Sequence, residues 1–127
     1  MTDQYVPGAC NIGPAEIAIR RRVGHVGLAV TAALATALLR SNLPRAWRLT
    51  LALPAAGAAS GYLQARQQFC ANYGFRGLYN FDSRGHEQPV PATTPQPEDR
   101  RRARQITATS LAIGAGVALA ATLVKGR

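Results

Sequence analysis

Residues 106–124, I-T-A-T-S-L-A-I-G-A-G-V-A-L-A-A-T-L-V, contain no charged side chain, and their polar side chains are all Thr or Ser. A helix over these residues is about 29 Å long at ~1.5 Å per residue, close to the ~30 Å hydrocarbon core of a bilayer. A helix that is apolar on every side is buried in a large protein or lies in lipid. A chain of 127 residues is too small to bury it, so the stretch predicts a membrane-spanning helix.

Residues 23–39 and 49–65 have the same Ala-, Leu- and Val-rich composition. The mean hydropathy of −0.05 is low for a membrane protein because apolar stretches alternate with polar connectors. A soluble three-helix bundle is the alternative, but these stretches lack the polar face that a surface helix needs. We expect an all-α membrane protein with three transmembrane helices. Its single membrane domain, residues 1–127, divides into an arm (1–13), helix 14–40, helix 46–67, an irregular polar and aromatic interfacial loop (68–99) and helix 100–124.

The formal net charge is +9, carried by 15 Lys and Arg against 6 Asp and Glu. Such a charge suits either nucleic acid or anionic lipid, and most of these residues lie near the ends of the apolar stretches. No nucleic-acid-binding motif accompanies the charge, so we expect membrane lipids as partners and no nucleic acid. The residues expected at the lipid headgroups are Arg20, Arg21, Arg22, Trp47 and Arg104.

The distribution of basic residues predicts the orientation of the three helices. With the N-terminus inside, ten basic residues fall on the inner side and five on the outer side. Since Lys and Arg concentrate on the cytoplasmic side, the N-terminus is expected to be cytoplasmic.

Small residues spaced four apart occur in the second and third apolar stretches. In lipid, this spacing allows helix backbones to approach closely. The partner helix is either in the same chain or in another subunit. The candidate helix-packing residues are Gly57, Gly61, Ser110, Gly114 and Gly116.

Cys10 and Cys70 are the only cysteines. Two antiparallel spans separate them, so both fall on the same side of the membrane in either orientation. Three alternatives stay open: unpaired structural thiols, a disulfide or redox pair, or a metal site that recruits His25 or His86, although no ligand spacing matches. We expect no cofactor. The arm is expected to fold over the segment around Cys70 and form a shared cap with it.

Residues 11–28, N-I-G-P-A-E-I-A-I-R-R-R-V-G-H-V-G-L, resemble the start of the YgaP-like transmembrane-domain family of small bacterial inner-membrane proteins. That family begins with Asn-x-Gly, an acidic residue and Arg, followed by Gly and apolar residues. Ile17 stands where the family usually has Arg directly after the acid. The matching positions are Asn11, Gly13, Glu16, Arg20 or Arg21, and Gly24. The resemblance implies a multi-pass protein of the bacterial inner membrane whose first two spans form a hairpin.

The sequence shows no Ser/His/Asp arrangement, no phosphate-binding loop and no dinucleotide-binding glycine pattern. We therefore expect no catalytic activity. The expected role is that of an accessory or structural subunit that packs against a larger membrane complex or associates with itself. The alternatives are a thiol redox or metal-handling membrane protein that uses Cys10 and Cys70, and an oligomeric small transporter or channel.

Overall fold

The computed structural model describes residues 5–81, 87–90 and 96–124, and these are mainly helical. The elements in chain order are α1 (Pro14–Arg40), a 3₁₀ helix (Arg45–Leu51), α2 (Ala52–Gln67), α3 (Ala71–Arg76), β1 (Leu78–Tyr79), β2 (Gln88–Pro89) and α4 (Gln96–Leu123). The structure therefore confirms the helical class expected from the sequence.

Local sequence signals account for both ends of helix α1. Pro14 is its first residue, a position at which the missing N–H of proline costs nothing, and Glu16 in the first turn complements the helix dipole. At the other end, the Ser41 hydroxyl donates to the Leu38 carbonyl at 2.9 Å. A short connector then returns the chain, so that α2 packs antiparallel to α1.

The helix expected at 46–67 is divided into two parts. Residues Arg45–Leu51 form a 3₁₀ helix, and the α-helix begins at Ala52. Pro54 is the third residue of α2. Because proline is tolerated in the first turn of an α-helix but not in its interior, the α-helix starts just before it.

The loop expected at 68–99 contains more regular structure than the sequence indicated. The six-residue helix α3 ends at Gly77, whose φ of 69° is left-handed, and β1 pairs antiparallel with β2. Helix α4 begins at Gln96, within the expected loop. Pro97 and the acidic residues Glu98 and Asp99 form its first turn, where both proline and negative charge favour a helix start.

Helix α2 is central, since it packs against both α1 and α4. Larger apolar side chains fill the two ends of the bundle, and small residues line its middle. Near the start of α4, Phe69 packs with Ala103 and Ile106, and at the opposite end Leu38 packs with Leu51. We call the first of these ends the cap, which comprises residues 5–22, 66–81, 87–90 and 96–105.

Among the described residues, two helices are long and apolar enough to cross a membrane. They are Pro14–Arg40 and Pro97–Leu123, and only 17% and 22% of their most apolar windows are buried within the chain. The α-helical part of the second expected span has 16 residues and falls outside this pair.

Candidate functional site

The arm, residues 5–13, is held in the cap by backbone pairing with the segment at β1. Ile12 and Asn80 form a parallel bridge. Gly13 N donates to Asn80 O at 2.8 Å, and Asn80 N donates to Asn11 O at 2.9 Å. The arm therefore adds a short strand-like pairing to the region between α3 and β2.

Asn11 fixes the arm to the junction of α2 and α3. Its side chain is fully buried. The Cys70 backbone N–H donates to Asn11 Oδ1 at 2.7 Å, and Asn11 Nδ2 donates to Cys70 O at 3.2 Å. The Asn11 amide thus pairs the buried Cys70 N–H, which would otherwise lack an acceptor, and adds a second donor to Cys70 O, which already accepts from Gly74 N at 2.9 Å.

A buried carboxylate lies at the centre of the cap. Glu16 is 2% exposed, and its Oε2 accepts hydrogen bonds from the Tyr73 hydroxyl at 2.8 Å and from Asn80 Nδ2 at 3.0 Å. Its Oε1 lies 3.3 Å from the Arg20 guanidinium. Burial and the hydrogen bond to Glu16 raise the pKa of Tyr73 to about 12, so the phenol keeps its proton and remains a donor.

The two thiols are free and face different partners. Cys70 Sγ lies 3.0 Å from Arg20, which also contacts Glu16. Cys10 Sγ lies 3.8 Å from both Ile12 O and a side-chain oxygen, Gln68 Oε1. Burial raises the pKa of the Cys10 thiol. The pairing of the two cysteines stays a prediction.

A metal site is not assembled in the part of the chain that the structure describes. No group of three His, Cys, Asp or Glu side chains there is suitable for an ion. His86 lies outside the described residues. His25 lies on α1, where its Nδ1 is 2.7 Å from the Tyr62 hydroxyl.

A second cluster ties the arm to α4, and sequence reasoning did not find it. Asp99 is fully buried and accepts hydrogen bonds from the Tyr5 hydroxyl and, at 2.7 Å, from Gly8 N. Arg102 donates to Gly8 O at 2.8 Å and to Gln67 Oε1 at 3.1 Å. The only sequence signal was the acidic first turn of α4, which does not reveal that the arm supplies the donors.

The glycines predicted to pack helices fall into two groups. A Cβ on Gly61 would lie 2.5 Å from Gly24 N of α1, and one on Gly114 would collide with Ala52 O of α2. A Cβ on Gly57 or Gly116 would meet no atom of the described residues within 4 Å. Close approach within the chain therefore occurs at Gly61 and Gly114 and not at Gly57 or Gly116.

Ser110 and the predicted interface residues have mixed surroundings. Ser110 is buried and donates to Ile106 O of its own helix at 2.7 Å. Trp47 is 53% exposed. Three of the predicted arginines are exposed, whereas Arg20 is engaged inside the cap. The exposed ones are Arg21, Arg22 and Arg104.

A buried arginine closes the end of the bundle opposite the cap. Arg48 is 2% exposed and donates to Ala121 O and Val124 O, both at 2.8 Å. These carbonyls lie at the C-terminal end of α4, where a cation complements the helix dipole and satisfies free acceptors. Arg48 thus joins the 3₁₀ helix to the end of α4.

The chain matches no protein-family model, and comparisons with curated proteins and with solved structures give no similar protein. The buried polar side chains of the cap bond to one another and to the backbone, and no buried side-chain N or O atom of the described residues lacks a partner. Such an arrangement holds the arm and the helices together.

Proposed function

We propose that this chain is a small integral membrane protein with three spans and no catalysis of its own, which acts as an accessory or structural subunit. The observation that carries the proposal is the outward face of α1 and α4, where large apolar side chains are exposed. Lipid or an apolar partner would cover such a face, since a soluble monomer seldom leaves so much apolar surface in contact with water. Representative side chains are Val26, Leu28, Val30, Leu111, Ile113 and Leu119.

The 3₁₀ helix and α2 together supply the proposed middle span. The 3₁₀ helix has seven residues and α2 has sixteen. At ~2.0 and ~1.5 Å per residue they extend about 38 Å, enough to cross the hydrocarbon core. Both neighbours of α2 are the long apolar helices, so a membrane that contains α1 and α4 also contains α2.

We place the cap on the cytoplasmic side of the bacterial inner membrane. Its end of the bundle has seven exposed arginines among the described residues, and Glu87 and Glu98 are the exposed acids there. A positive surface of this kind is typical of the cytoplasmic side. The resemblance of residues 11–28 to the YgaP-like family is part of this proposal. The arginines are Arg21, Arg22, Arg66, Arg76, Arg100, Arg101 and Arg104.

The open side of Gly57 supports association with another helix. Gly57 lies in a groove of about 520 Å³ between α1 and α2. Because no atom of the described residues lies within 4 Å of a methyl group placed on Gly57, a neighbouring backbone has room to approach there. Apolar side chains form the walls, among them Ile19, Val23, Val26, Val30 and Pro54. This groove is the proposed contact with a larger complex or with a second copy.

One observation favours the thiol alternative. Arg20 lies 3.0 Å from the sulfur of the buried Cys70, so a cation is in contact with this thiol. If that alternative is correct, Arg20→Gln slows alkylation of Cys70 in membranes, whereas Arg22→Gln leaves the rate unchanged. Equal rates in both variants would leave the subunit proposal as the better account.

The proposal is tested first by topology and extraction. Reporter fusions after Arg45 and Arg127 are expected outside, and a fusion near Gln88 is expected inside. The chain should stay in the membrane on alkaline carbonate treatment, and release by carbonate would contradict all three spans.

Association is tested by purification from native membranes in mild detergent. We expect a stoichiometric partner or a defined homo-oligomer. Gly57→Leu should weaken it, because the larger side chain fills the groove, while Ala33→Leu on an exposed face of α1 should not. A monomer without a partner would contradict the subunit role.

A further inference from the structure

We propose that the chain has a binding site for one anionic phospholipid, with an acyl chain between α1 and α4 and the phosphate at Arg21 and Arg66. The inference rests on the proposed membrane location. It concerns a cleft on the side of the bundle away from the Gly57 groove.

The cleft exists because α1 and α4 both pack on α2 and diverge across its face. It has a volume of about 340 Å³, within the range of small-ligand sites. Its lining includes one large apolar side chain of α1, three alanines of α2 and two apolar side chains of α4. These residues are Leu28, Ala55, Ala58, Ala59, Ile113 and Val117. Small side chains on α2 therefore leave a narrow apolar channel.

The size of the cleft favours a hydrocarbon chain over a helix. A helix with its side chains is about 10–12 Å across, whereas an extended acyl chain is one methylene wide and fits the narrow space between α1 and α4 over the small side chains of α2. Thr31 lies in the middle of α1 and lines the cleft, and its Oγ1 donates to Gly27 O at 2.7 Å. The Thr31 hydroxyl is therefore already hydrogen-bonded within α1 without a polar ligand.

The end of the cleft nearest the cap has a polar pair. Tyr62 lines the cleft, and its hydroxyl lies 2.7 Å from Nδ1 of the exposed His25. If the hydroxyl donates, a neutral imidazole keeps its proton on Nε2. If Nδ1 donates, the hydroxyl proton is free. Either arrangement leaves one donor for an ester or phosphate oxygen.

Two arginines lie one helical turn beyond this pair. Arg21 precedes His25 by four residues on α1, and Arg66 follows Tyr62 by four residues on α2, so each shares a face with its partner. The helices are antiparallel, so both arginines lie on the cap side of the pair. Both are exposed, and neither makes an ion pair with any residue that the structure describes. Arg20, in contrast, is engaged with Glu16.

Along the membrane normal, the chemical groups of the site follow the same order as the parts of a phospholipid. Two guanidinium groups come first, then one hydrogen-bond donor at the depth of the ester groups, and then an apolar channel. Charge complementarity selects a headgroup with net negative charge, because the two arginines gain more from it than from a zwitterion.

The test uses the full chain in mild detergent and native mass spectrometry. The probes are dioleoyl phosphatidylglycerol and dioleoyl phosphatidylcholine, which differ in headgroup charge but have the same acyl chains. We expect one molecule of the glycerol lipid per chain, retained roughly thirtyfold more tightly, from the attraction of an anionic headgroup to two basic side chains.

Variants locate the site. Arg21→Gln with Arg66→Gln should remove the preference for the anionic lipid. Arg76→Gln with Arg100→Gln removes the same charge from exposed positions at the same end and should leave the preference unchanged. Ala59→Leu, which fills the cleft, should lower retention of both lipids at least several-fold in a chain whose helical circular dichroism is unchanged.

Equal retention of the two lipids, or an equal loss in the two arginine pairs, would overturn the site. So would retention unaffected by Ala59→Leu. A chain that resists carbonate extraction but shows no lipid preference refutes this inference alone. A chain that carbonate releases refutes the proposed function and this inference with it.

Discussion

Replacing Gly61 by alanine tests the contact between α1 and α2 at its closest point. A Cβ there would lie 2.5 Å from Gly24 N, 2.7 Å from Arg20 O and 3.0 Å from Gly24 Cα. Ordinary contact begins at 3.4 Å, so α1 must withdraw by nearly 1 Å from the nearest of these atoms. The obstacles are backbone atoms, which cannot rotate away as a side chain can.

The expected cost is about 1–3 kcal/mol, the usual range for an overpacked contact. Gly57→Ala is the matched control, since Gly57 lies one turn away on the same helix and its methyl position meets no atom of the described residues within 4 Å. Both changes gain the same helix propensity of ~1 kcal/mol, so the difference between the variants isolates the contact.

The assay is equilibrium unfolding of the monomer in mixed micelles, followed by circular dichroism. Gly61→Ala should have the lower free energy of unfolding, and Gly57→Ala should equal or exceed the native chain. If the two variants unfold at the same denaturant concentration, α1 and α2 do not meet at Gly61 and the described helix packing is wrong.

Three further predictions concern the ends of the bundle. Asn11→Ala should destabilise the cap by about 1–3 kcal/mol and expose the arm to protease, because the buried Cys70 N–H loses its acceptor; Asn72→Ala, at an exposed position, is the control, and equal digestion would contradict the role of Asn11. Arg48→Ala should cost about 1–3 kcal/mol in unfolding experiments, since two carbonyls at the end of α4 lose a donor; Arg45→Ala, which loses only a 3.5 Å contact, should cost less, and the opposite order would argue against this closure. The raised pKa of Tyr73, about 12 against 10.0 for the free side chain, means that its contribution is complete below pH ~10 and is lost as pH rises towards 12, because the unfolded chain ionises first. Tyr73→Phe should flatten that fall in an unfolding series, and an unchanged slope would show that another group causes it.

Periodicity and end signals were enough to predict the long helices. Residues 106–124 predicted an apolar helix, and the structure has one over Gln96–Leu123. Its earlier start follows from Pro97 and two acids, which serve as local start signals. Local chemistry of this kind is readable from the sequence because it acts within one helical turn.

The contacts of the cap could not be predicted from the sequence because they join distant parts of the chain. Glu16 meets Tyr73 across 57 positions, and Asp99 meets Gly8 across 91. The sequence indicated that Glu16 suits a helix start but not that it is buried. Similarly, Gly57 and Gly61 belong to one spacing motif, and only the rotation of α2 about its axis decides which of them faces α1.

The long separation between the arm and α4 has a consequence for biogenesis. A ribosome releases residues 5–13 long before Asp99 and Arg102, so Gly8 must wait for both of its partners on the last helix. The hairpin of α1 and α2 can form on its own contacts, since these lie close in sequence. Attachment of residues 5–8 to α4 then becomes the step that reports completion of the chain, and a nascent protein that lacks α4 exposes these residues to quality-control proteases.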